Sequence, residues 1–225
     1  TEVWALTHHP KGGVWVGTNK GMIRWLDGKL LLEGPRDLED AAVICLLYHQ
    51  NRLWAGTDRG LFELEENGRF VHRYRPPAEV GPLSTYDLLP FGQGLLVGTS
   101  LGLYDFREGR FTRQLPNAPF ARIGINSLNQ DPQGTIWVGT SRGLFGLPMD
   151  SPGQHIKVFG REQGLLDETI SWSRALPDGT LAVGHGVGIS LIRDDKVISL
   201  THAQGLISDE TNHEAALVDS KGRLW

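Results

Sequence analysis

The 225-residue sequence has one cysteine, no run of 18 apolar residues and no excess of basic charge. The single cysteine, Cys45, excludes an internal disulfide, and its place in the apolar run VICLLY predicts a buried small hydrophobic residue. Because no long apolar run exists, the segment is not expected to insert into a bilayer. The net charge of −4 argues against nucleic acid as a partner, since proteins that bind it carry a basic face.

The sequence also lacks the patterns of catalytic and cofactor sites. Its 8 histidines have no metal-ligand spacing, and the adjacent His8 and His9 point to opposite faces of a strand. GHGVG at Gly184 is similar to a dinucleotide loop, but the strand-like run ISLIR follows it instead of a helix. Neither a nucleophile elbow nor a phosphate loop is present. We therefore expect no catalytic residue, no metal site and no cofactor in this segment.

Glycine, in contrast, is abundant, with 29 residues, and much of it lies in a repeated motif. WVGTNKG at Trp15 recurs as WAGTDRG, LVGTSLG, WVGTSRG and, more distantly, AVGHGVG. The first glycines of these motifs are spaced by 39, 42, 41 and 45 residues: Gly17, Gly56, Gly98, Gly139 and Gly184. A period near 40 residues indicates an array of supersecondary units.

The runs around these glycines are short, rich in β-branched and aromatic residues, and separated by glycine-containing turns, which predicts strands. Four strands per repeat predict an all-β fold, a β-propeller of four-stranded antiparallel blades, with five complete repeats and the start of a sixth. We expect one propeller domain over residues 1–225. The predicted blades span residues 1–34, 35–75, 76–116, 117–160, 161–201 and, incompletely, 202–225.

The recurring residues are expected to serve packing. Large indole rings can fill the wedge between blades, and a glycine next to them lets the adjacent blade approach closely. Hairpin turns that need positive φ are expected at Asp27-Gly28, Asn67-Gly68 and Glu108-Gly109. The predicted structural residues are Trp15, Gly17, Thr18, Trp54, Gly56, Thr57, Gly98, Thr99, Trp137, Gly139, Thr140, Gly184 and Trp225.

Two segments, INSLNQDPQGTIWVGTSRGLFGL from Ile125 and EQGLLDETISWSRALPDGTLAVGHGVGISLI from Glu162, resemble the two-component-regulator propeller repeat. The resemblance implies the extracytoplasmic, periplasmic sensor part of a membrane receptor, with a histidine-kinase or diguanylate-cyclase output in the same polypeptide. Family rings have about seven blades, so we expect this chain to be part of a larger propeller. Exposed blade edges would then invite pairing with a second copy.

Ligands of propellers usually meet the loops that lead into the inner strands. Aligning those strands places Trp4, Ile44, Tyr86, Asn126, Ser171 and Glu214 at one equivalent position. Aromatic and polar groups together suit a small polar or oligosaccharide ligand. The candidate ligand-binding residues are Trp4, Tyr86, Arg122, Asn126, Asp167, Glu168, Ser171, Trp172, Asp209, Glu210, His213 and Glu214.

The paired carboxylates of the two Asp-Glu-Thr loops have two interpretations. They could contact a ligand or a cation, or they could bind backbone amides of their own loops. For the whole segment, the sequence favours a non-catalytic sensor propeller. A propeller that serves as a protein-interaction scaffold and a propeller lyase are the alternatives, and the lyase would depend on His213 or Glu214.

Overall fold

The computed structural model describes residues 2–9, 12–31, 38–64, 70–72, 83–148, 155–211 and 216–225. In these residues the chain forms strands, with short 3-10 turns such as Arg161–Gln163 and His202–Gln204. The strands make five antiparallel sheets of four strands, and within each sheet neighbours in sequence are neighbours in space. This all-β arrangement confirms the predicted four-stranded units, which we number as blades one to five.

The strands of the five blades have the following bounds, in chain order: β1 Val3–His8, β2 Val14–Thr18, β3 Gly21–Leu26 and β4 Lys29–Leu31; β5 Val43–His49, β6 Arg52–Thr57, β7 Gly60–Leu64 and β8 Phe70–His72; β9 Thr85–Phe91, β10 Gly94–Thr99, β11 Gly102–Arg107 and β12 Arg110–Arg113; β13 Ile125–Gln130, β14 Ile136–Thr140, β15 Gly143–Leu147 and β16 Lys157–Phe159; β17 Trp172–Ala175, β18 Leu181–His185, β19 Gly188–Arg193 and β20 Lys196–Leu200.

The chain divides into two compact units. The first comprises residues 1–100 and 104–112, and the second residues 101–103 and 113–225. In the first unit the inner strands of successive blades contact each other, β1 with β5 and β5 with β9. In the second unit β13 contacts β17 in the same manner. Side-by-side inner strands are what adjacent blades of a propeller require.

Two recurring indoles of the first unit lie between neighbouring blades, as predicted. Trp15 of blade one packs in one apolar cluster with Val43 and Phe62 of blade two. Trp54 of blade two meets the ring of Phe106 of blade three edge to face, with centroids 5.3 Å apart. Both indoles are buried. Each therefore stabilises a blade–blade contact by removing a large apolar surface from water.

The same packing recurs in the second unit. Trp137 of blade four is buried in a cluster with Ile170 and Val183. Ile170 precedes the inner strand of blade five, and Val183 lies on the second strand of that blade. A Cβ added to Gly139 would lie 2.7 Å from the Ile170 Cγ2 atom, so only glycine permits this approach. In blade one, a Cβ on Gly17 would come equally close, 2.7 Å, to a methyl group of Val43. The recurring glycines thus set the spacing between blades.

The threonine of the Thr-x-x-Gly motif closes the turn between the second and third strands. In blades one, two and four its buried hydroxyl donates to the glycine carbonyl at 2.9 Å. The same oxygen accepts a backbone N–H bond of 2.9–3.0 Å from the residue two positions on. The closing glycine has positive φ, for example 110° at Gly143. The motif is therefore a hydroxyl-closed turn that requires glycine at its end.

The hairpins between third and fourth strands also follow the prediction where the structure describes them. Asp27-Gly28 and Glu108-Gly109 have positive φ at both residues, 49° and 77° in the first and 48° and 76° in the second. Such angles are typical of a type I′ turn, whose twist matches that of the flanking strands. Asn67-Gly68 lies outside the described residues.

Trp225, at the equivalent position of the sixth repeat, has a different environment from the other recurring indoles. Trp225 is 67% exposed, whereas the equivalent indoles of blades one, two and four are buried. Its ring lies beside the Arg223 guanidinium at 5.0 Å, and its indole N–H donates to the Asp219 carboxylate at 3.0 Å. The start of the sixth repeat is a short antiparallel pair with a bridge between Val218 and Leu224.

Candidate functional site

The inner strands of the first four blades share a β-bulge at the position that the sequence alignment predicts for ligand contact. In blade one, Val3 pairs with Thr18 and Ala5 with Gly17, which leaves Trp4 as the extra residue. The register shifts in the same place in the next three inner strands, where the extra residues are Ile44, Tyr86 and Asn126. A bulge turns a side chain away from the regular alternation of a strand, which is why bulges are common beside binding sites.

The bulge residues of the first unit offer aromatic surface. Trp4 is 38% exposed, and its indole N–H donates to the Glu2 carboxylate at 3.3 Å. Tyr86 is half-buried, and Ile44 is nearly covered. Because β5 contacts both β1 and β9, these three positions lie on successive inner strands of the first unit.

The equivalent positions of the second unit are polar. The side-chain amide of Asn126 donates to the Ile170 carbonyl at 3.1 Å, so it links the inner strand of blade four to the entry of blade five. Ser171 holds the equivalent place in blade five, where its backbone N–H donates to the Gly184 carbonyl at 2.8 Å. Both side chains are half-buried. Asn126 therefore serves the blade contact with its amide nitrogen and keeps its oxygen as an acceptor.

Trp172 follows the bulge position and has a different environment from the one predicted. It is only 2% exposed and its ring packs directly on the Gly184 backbone. The step of one residue from Ser171 turns its side chain to the opposite face of the strand, into the blade. This burial leaves almost no surface of Trp172 for a ligand, so its place in the candidate site is corrected to a packing role.

The two Asp-Glu-Thr loops each follow a 3-10 turn that ends at a glycine with positive φ. Asp167 accepts a bond from the Thr169 backbone N–H at 2.8 Å and pairs with the Arg161 guanidinium at 2.6 Å. The Thr169 bond, aided by Arg161, lowers the pKa of the Asp167 carboxyl below its usual value. Asp209 likewise accepts a bond from the His202 backbone N–H. These local partners favour the interpretation in which the aspartates bind backbone amides of their own loops.

The remaining acidic candidates are more open. Glu168 and Glu210 are both exposed, and their backbones support the loops. His213 and Glu214 lie outside the described residues. The two loops thus leave their glutamate side chains, and not their aspartates, available for a ligand.

The Thr-x-x-Gly turns lie at the same end of each blade as the bulges, and the sequence analysis treated them only as packing elements. The residue after the threonine pairs with the entry of the inner strand: the Asp58 N–H donates to the Ala42 carbonyl at 3.1 Å, and the Ala42 N–H donates to the Asp58 carboxylate at 3.0 Å. Ser100 and Ser84 make the same exchange in blade three. Turn and bulge therefore form one rigid edge.

The turn of blade four contributes a residue that the sequence analysis missed. Arg142 and the predicted Arg122 line one open depression of about 590 Å³, together with Asn117 and Ser141. Both arginines are exposed. Arg142 could have been found as a residue at one of the two variable positions inside the Thr-x-x-Gly turn.

His185 is a second residue that the sequence analysis passed over. It replaces the turn threonine in blade five and is fully buried. Its Nε2 atom lies 2.9 Å from the Ser190 hydroxyl and its Nδ1 atom 3.3 Å from the Thr169 carbonyl, while its own carbonyl accepts a bond from the Thr211 hydroxyl. Burial lowers the pKa of His185 below its ordinary value of 6.5. The imidazole thus contacts the first Asp-Glu-Thr loop, and the backbone carbonyl of His185 contacts the second.

The described residues contain no group of three or more His, Cys, Asp or Glu side chains placed to hold a metal ion. They also contain no helix with the length and hydropathy needed to cross a bilayer.

Comparison with known families identifies one of the repeats. Residues 121–142 match the family model described as Two component regulator propeller. This stretch contains the bulge of blade four, the turn between β13 and β14 that includes Asp131, and the motif WVGTS. The resemblance that the sequence shows is therefore confirmed at this repeat. A comparison with curated proteins gives no match.

Solved structures with a similar fold include extracellular domains of two systems from B. thetaiotaomicron. The hybrid two component system BT3049 has a TM-score of 0.82 and 19% identity, with 99% of this chain and 31% of that chain covered. The one component system BT4673 has a TM-score of 0.78 and 19% identity, with 100% of this chain and 31% of that chain covered. The chain thus spans about a third of the length of these domains. Their similarity confirms the propeller fold.

An enzyme also has a similar fold. Virginiamycin B lyase from Staphylococcus aureus has a TM-score of 0.65 and 16% identity, with 89% of this chain and 70% of that chain covered. At this identity the likeness concerns the backbone. The same propeller scaffold therefore occurs in proteins with different activities, and the function has to be argued from the site.

Proposed function

We propose that this chain, which carries the two component regulator propeller repeat, is a ligand-sensing propeller segment of a bacterial transmembrane signalling receptor. It binds a small polar or sugar-like ligand and performs no chemistry on it. The observation that supports this function is the repeated β-bulge, because a constant backbone feature presents a different side chain in each of the first four blades. Constant packing residues around a variable position are what a recognition surface needs.

The chemistry of the bulge residues supports the ligand class. Trp4 and Tyr86 supply aromatic faces in the first unit, and Asn126 supplies an amide oxygen in the second. Sugar rings stack on aromatic faces, and their hydroxyl groups exchange hydrogen bonds with amides. The aspartates of the Asp-Glu-Thr loops are occupied by local bonds, which favours binding over acid–base catalysis in these loops.

The proposed setting is extracytoplasmic, with a two-component or cyclic-di-GMP output in the same polypeptide. It is supported by the family model and by similar folds in extracellular domains of two component systems. In this arrangement the propeller would report ligand occupancy to the parts of the receptor that follow it.

The test is a titration of the receptor's complete extracytoplasmic part with a panel of oligosaccharides and metabolites, read by thermal shift. We expect at least one compound to raise the melting temperature, and the double variant Tyr86→Ala, Asn126→Ala to lose this response. The matched control is Gln50→Ala, Gln93→Ala, which changes two exposed side chains at the other end of the strands. Binding that survives the first variant, or no binding by any compound, would reject the proposed site.

A protein-interaction scaffold is the second candidate, and one observation favours it. On blade one Val3 and Leu6 are 58% and 64% exposed, although they lie on the inner strand. Exposed apolar side chains on one strand can mark a contact with another protein surface. A pull-down that yields a specific protein partner, with no small ligand found by the panel, would favour this candidate.

A further inference from the structure

Blade four has two arginines where another blade has an acid and a base. The strand register defines the equivalence, since Val43 pairs with Thr57 in blade two and Ile125 pairs with Thr140 in blade four. Asp40 lies three residues before Val43 in blade two, and Arg122 lies three residues before Ile125 in blade four. Arg59 lies two residues after Thr57, and Arg142 lies two residues after Thr140.

In two other blades, residues at these positions form hydrogen bonds or ion pairs within the chain. In blade two the Arg59 guanidinium donates to the Asp40 carbonyl at 2.9 Å. In blade five the position of Arg122 is taken by Asp167, whose carboxylate pairs with Arg161 at 2.6 Å. Blade four combines two positive charges instead, and across the described ranges no carboxylate lies within ion-pair distance of Arg122 or Arg142.

Both arginines project from backbone that is held in place. The loop before blade four is anchored by Phe120, which is fully buried and packs on the Phe145 ring at 5.1 Å. Backbone bonds of 3.0 Å join Ala121 to Ala118 and Ile123 to Phe120 in the same loop. Arg142 lies in the hydroxyl-closed turn of Thr140, with a bond of 2.9 Å from its own N–H. The depression of about 590 Å³ between them has the size of a small-molecule site.

We infer that this depression binds an oxyanion group of the ligand, a carboxylate or a sulfate ester, between Arg122 and Arg142. Guanidinium groups bind such groups with paired, charge-assisted hydrogen bonds. The inference rests on the proposed sensor function and narrows its ligand to an acidic saccharide or a similar small acid. The hydroxyl of Ser141 and the amide of Asn117 line the same depression and can bind the uncharged part of the ligand.

The experiment is isothermal titration calorimetry of the extracytoplasmic part with D-glucuronate, sodium sulfate and D-glucose at low ionic strength. We expect a measurable Kd for D-glucuronate, for sulfate or for both, and no binding of D-glucose at the same concentrations. The charge-removing double variant Arg122→Gln, Arg142→Gln should weaken anion binding by at least about tenfold. The control Arg110→Gln removes one exposed arginine on β12 and should leave the Kd unchanged.

The pattern of results separates the two anions and the two proposals. Binding of D-glucuronate alone assigns the site to a carboxylate, and binding of sulfate alone assigns it to a sulfate ester. Equal anion binding by wild type and the double arginine variant would overturn the anion site. If a neutral panel compound raises the melting temperature while neither anion binds, the sensor function stands and the anion site is rejected.

Discussion

The hydroxyl oxygens of Ser127 and Ser173 lie 2.8 Å apart and join the inner strands of blades four and five. The backbone N–H of Ser173 also donates to the Ser127 hydroxyl oxygen at 2.8 Å. Both side chains are fully buried. A side-chain bond between two inner strands fixes their relative height in a way that apolar packing alone does not.

Replacing Ser127 with alanine should therefore destabilise the chain by about 2 kcal/mol, because it leaves the buried Ser173 N–H without its acceptor. Ser173→Ala should cost less, about 1 kcal/mol, since the backbone bond to Ser127 remains. Urea denaturation measures both differences, with the exposed Ser220→Ala as the control. Equal costs for the two variants would show that the backbone bond contributes little.

The hydroxyl-closed turn makes a prediction of its own. Thr140→Val keeps the shape of the side chain but removes a donor to the Gly143 carbonyl and an acceptor of the Arg142 N–H, both at 2.9 Å. We expect a loss of about 2 kcal/mol in the free energy of unfolding, because both backbone groups lose a partner. Thr140→Ser restores the hydroxyl and should recover most of the loss. A valine variant as stable as wild type would mean that the turn needs only its glycine.

Much of this framework can be predicted from the sequence because it repeats. The indole of Trp54, the glycine at Gly139 and the threonine at Thr140 recur at a period near 40, and their shared roles follow from strand pairing and close blade contact.

The site is harder to predict, since it depends on deviations from the repeat. The extra residue of each bulge is invisible in a period-two pattern, although the alignment does bring Tyr86 and Asn126 to one position. Trp172 stands one residue beyond it, and only the register shows that this side chain faces inward. The repeat does not single out Arg142, because it occupies a variable position of the Thr-x-x-Gly turn. His185 replaces the threonine in the least regular copy of the motif, yet it is fully buried and forms a hydrogen bond with the Ser190 hydroxyl.

Asp131 should stabilise the repeat through one carboxylate with three partners. Its oxygens accept bonds from the N–H groups of Gln133 at 3.0 Å and Thr135 at 2.8 Å, and from the indole N–H of Trp137 at 2.9 Å. Asp131→Ala should cost about 2–3 kcal/mol of stability. Asp131→Asn keeps one acceptor oxygen and should cost less. Chemical denaturation followed by tryptophan fluorescence measures both, and equal costs would show that the acceptor oxygen retained in the asparagine variant contributes little.

His185 should make the stability depend on pH. Burial holds its pKa in the folded chain below the ordinary value of 6.5, so the unfolded chain binds the proton more tightly. The hydrogen bond to the Thr169 backbone and the nearby Asp167 carboxylate oppose this shift, and the Arg161 guanidinium adds to it. Its contribution to stability is therefore fully present above about pH 6.5 and declines as the pH falls from there towards the lowered pKa.

The neutral substitution His185→Gln isolates this effect. The variant should be less stable at pH 7.5, because glutamine does not reproduce both bonds of the imidazole. Its stability should nevertheless change less than that of wild type between about pH 7 and pH 5. Urea denaturation at several pH values provides the measurement. A pH dependence equal to that of wild type would remove His185 as its source.

Hydroxyl-radical footprinting tests the proposed role of the bulges most directly, because blade one contains a matched pair of indoles. Trp4, at the bulge of β1, is 38% exposed, and Trp25, on β3, is 44% exposed. With the strongest-binding compound of the panel present, oxidation of Trp4 should fall several-fold while oxidation of Trp25 stays constant. Equal oxidation of Trp4 with and without the bound compound would contradict recognition at the bulges.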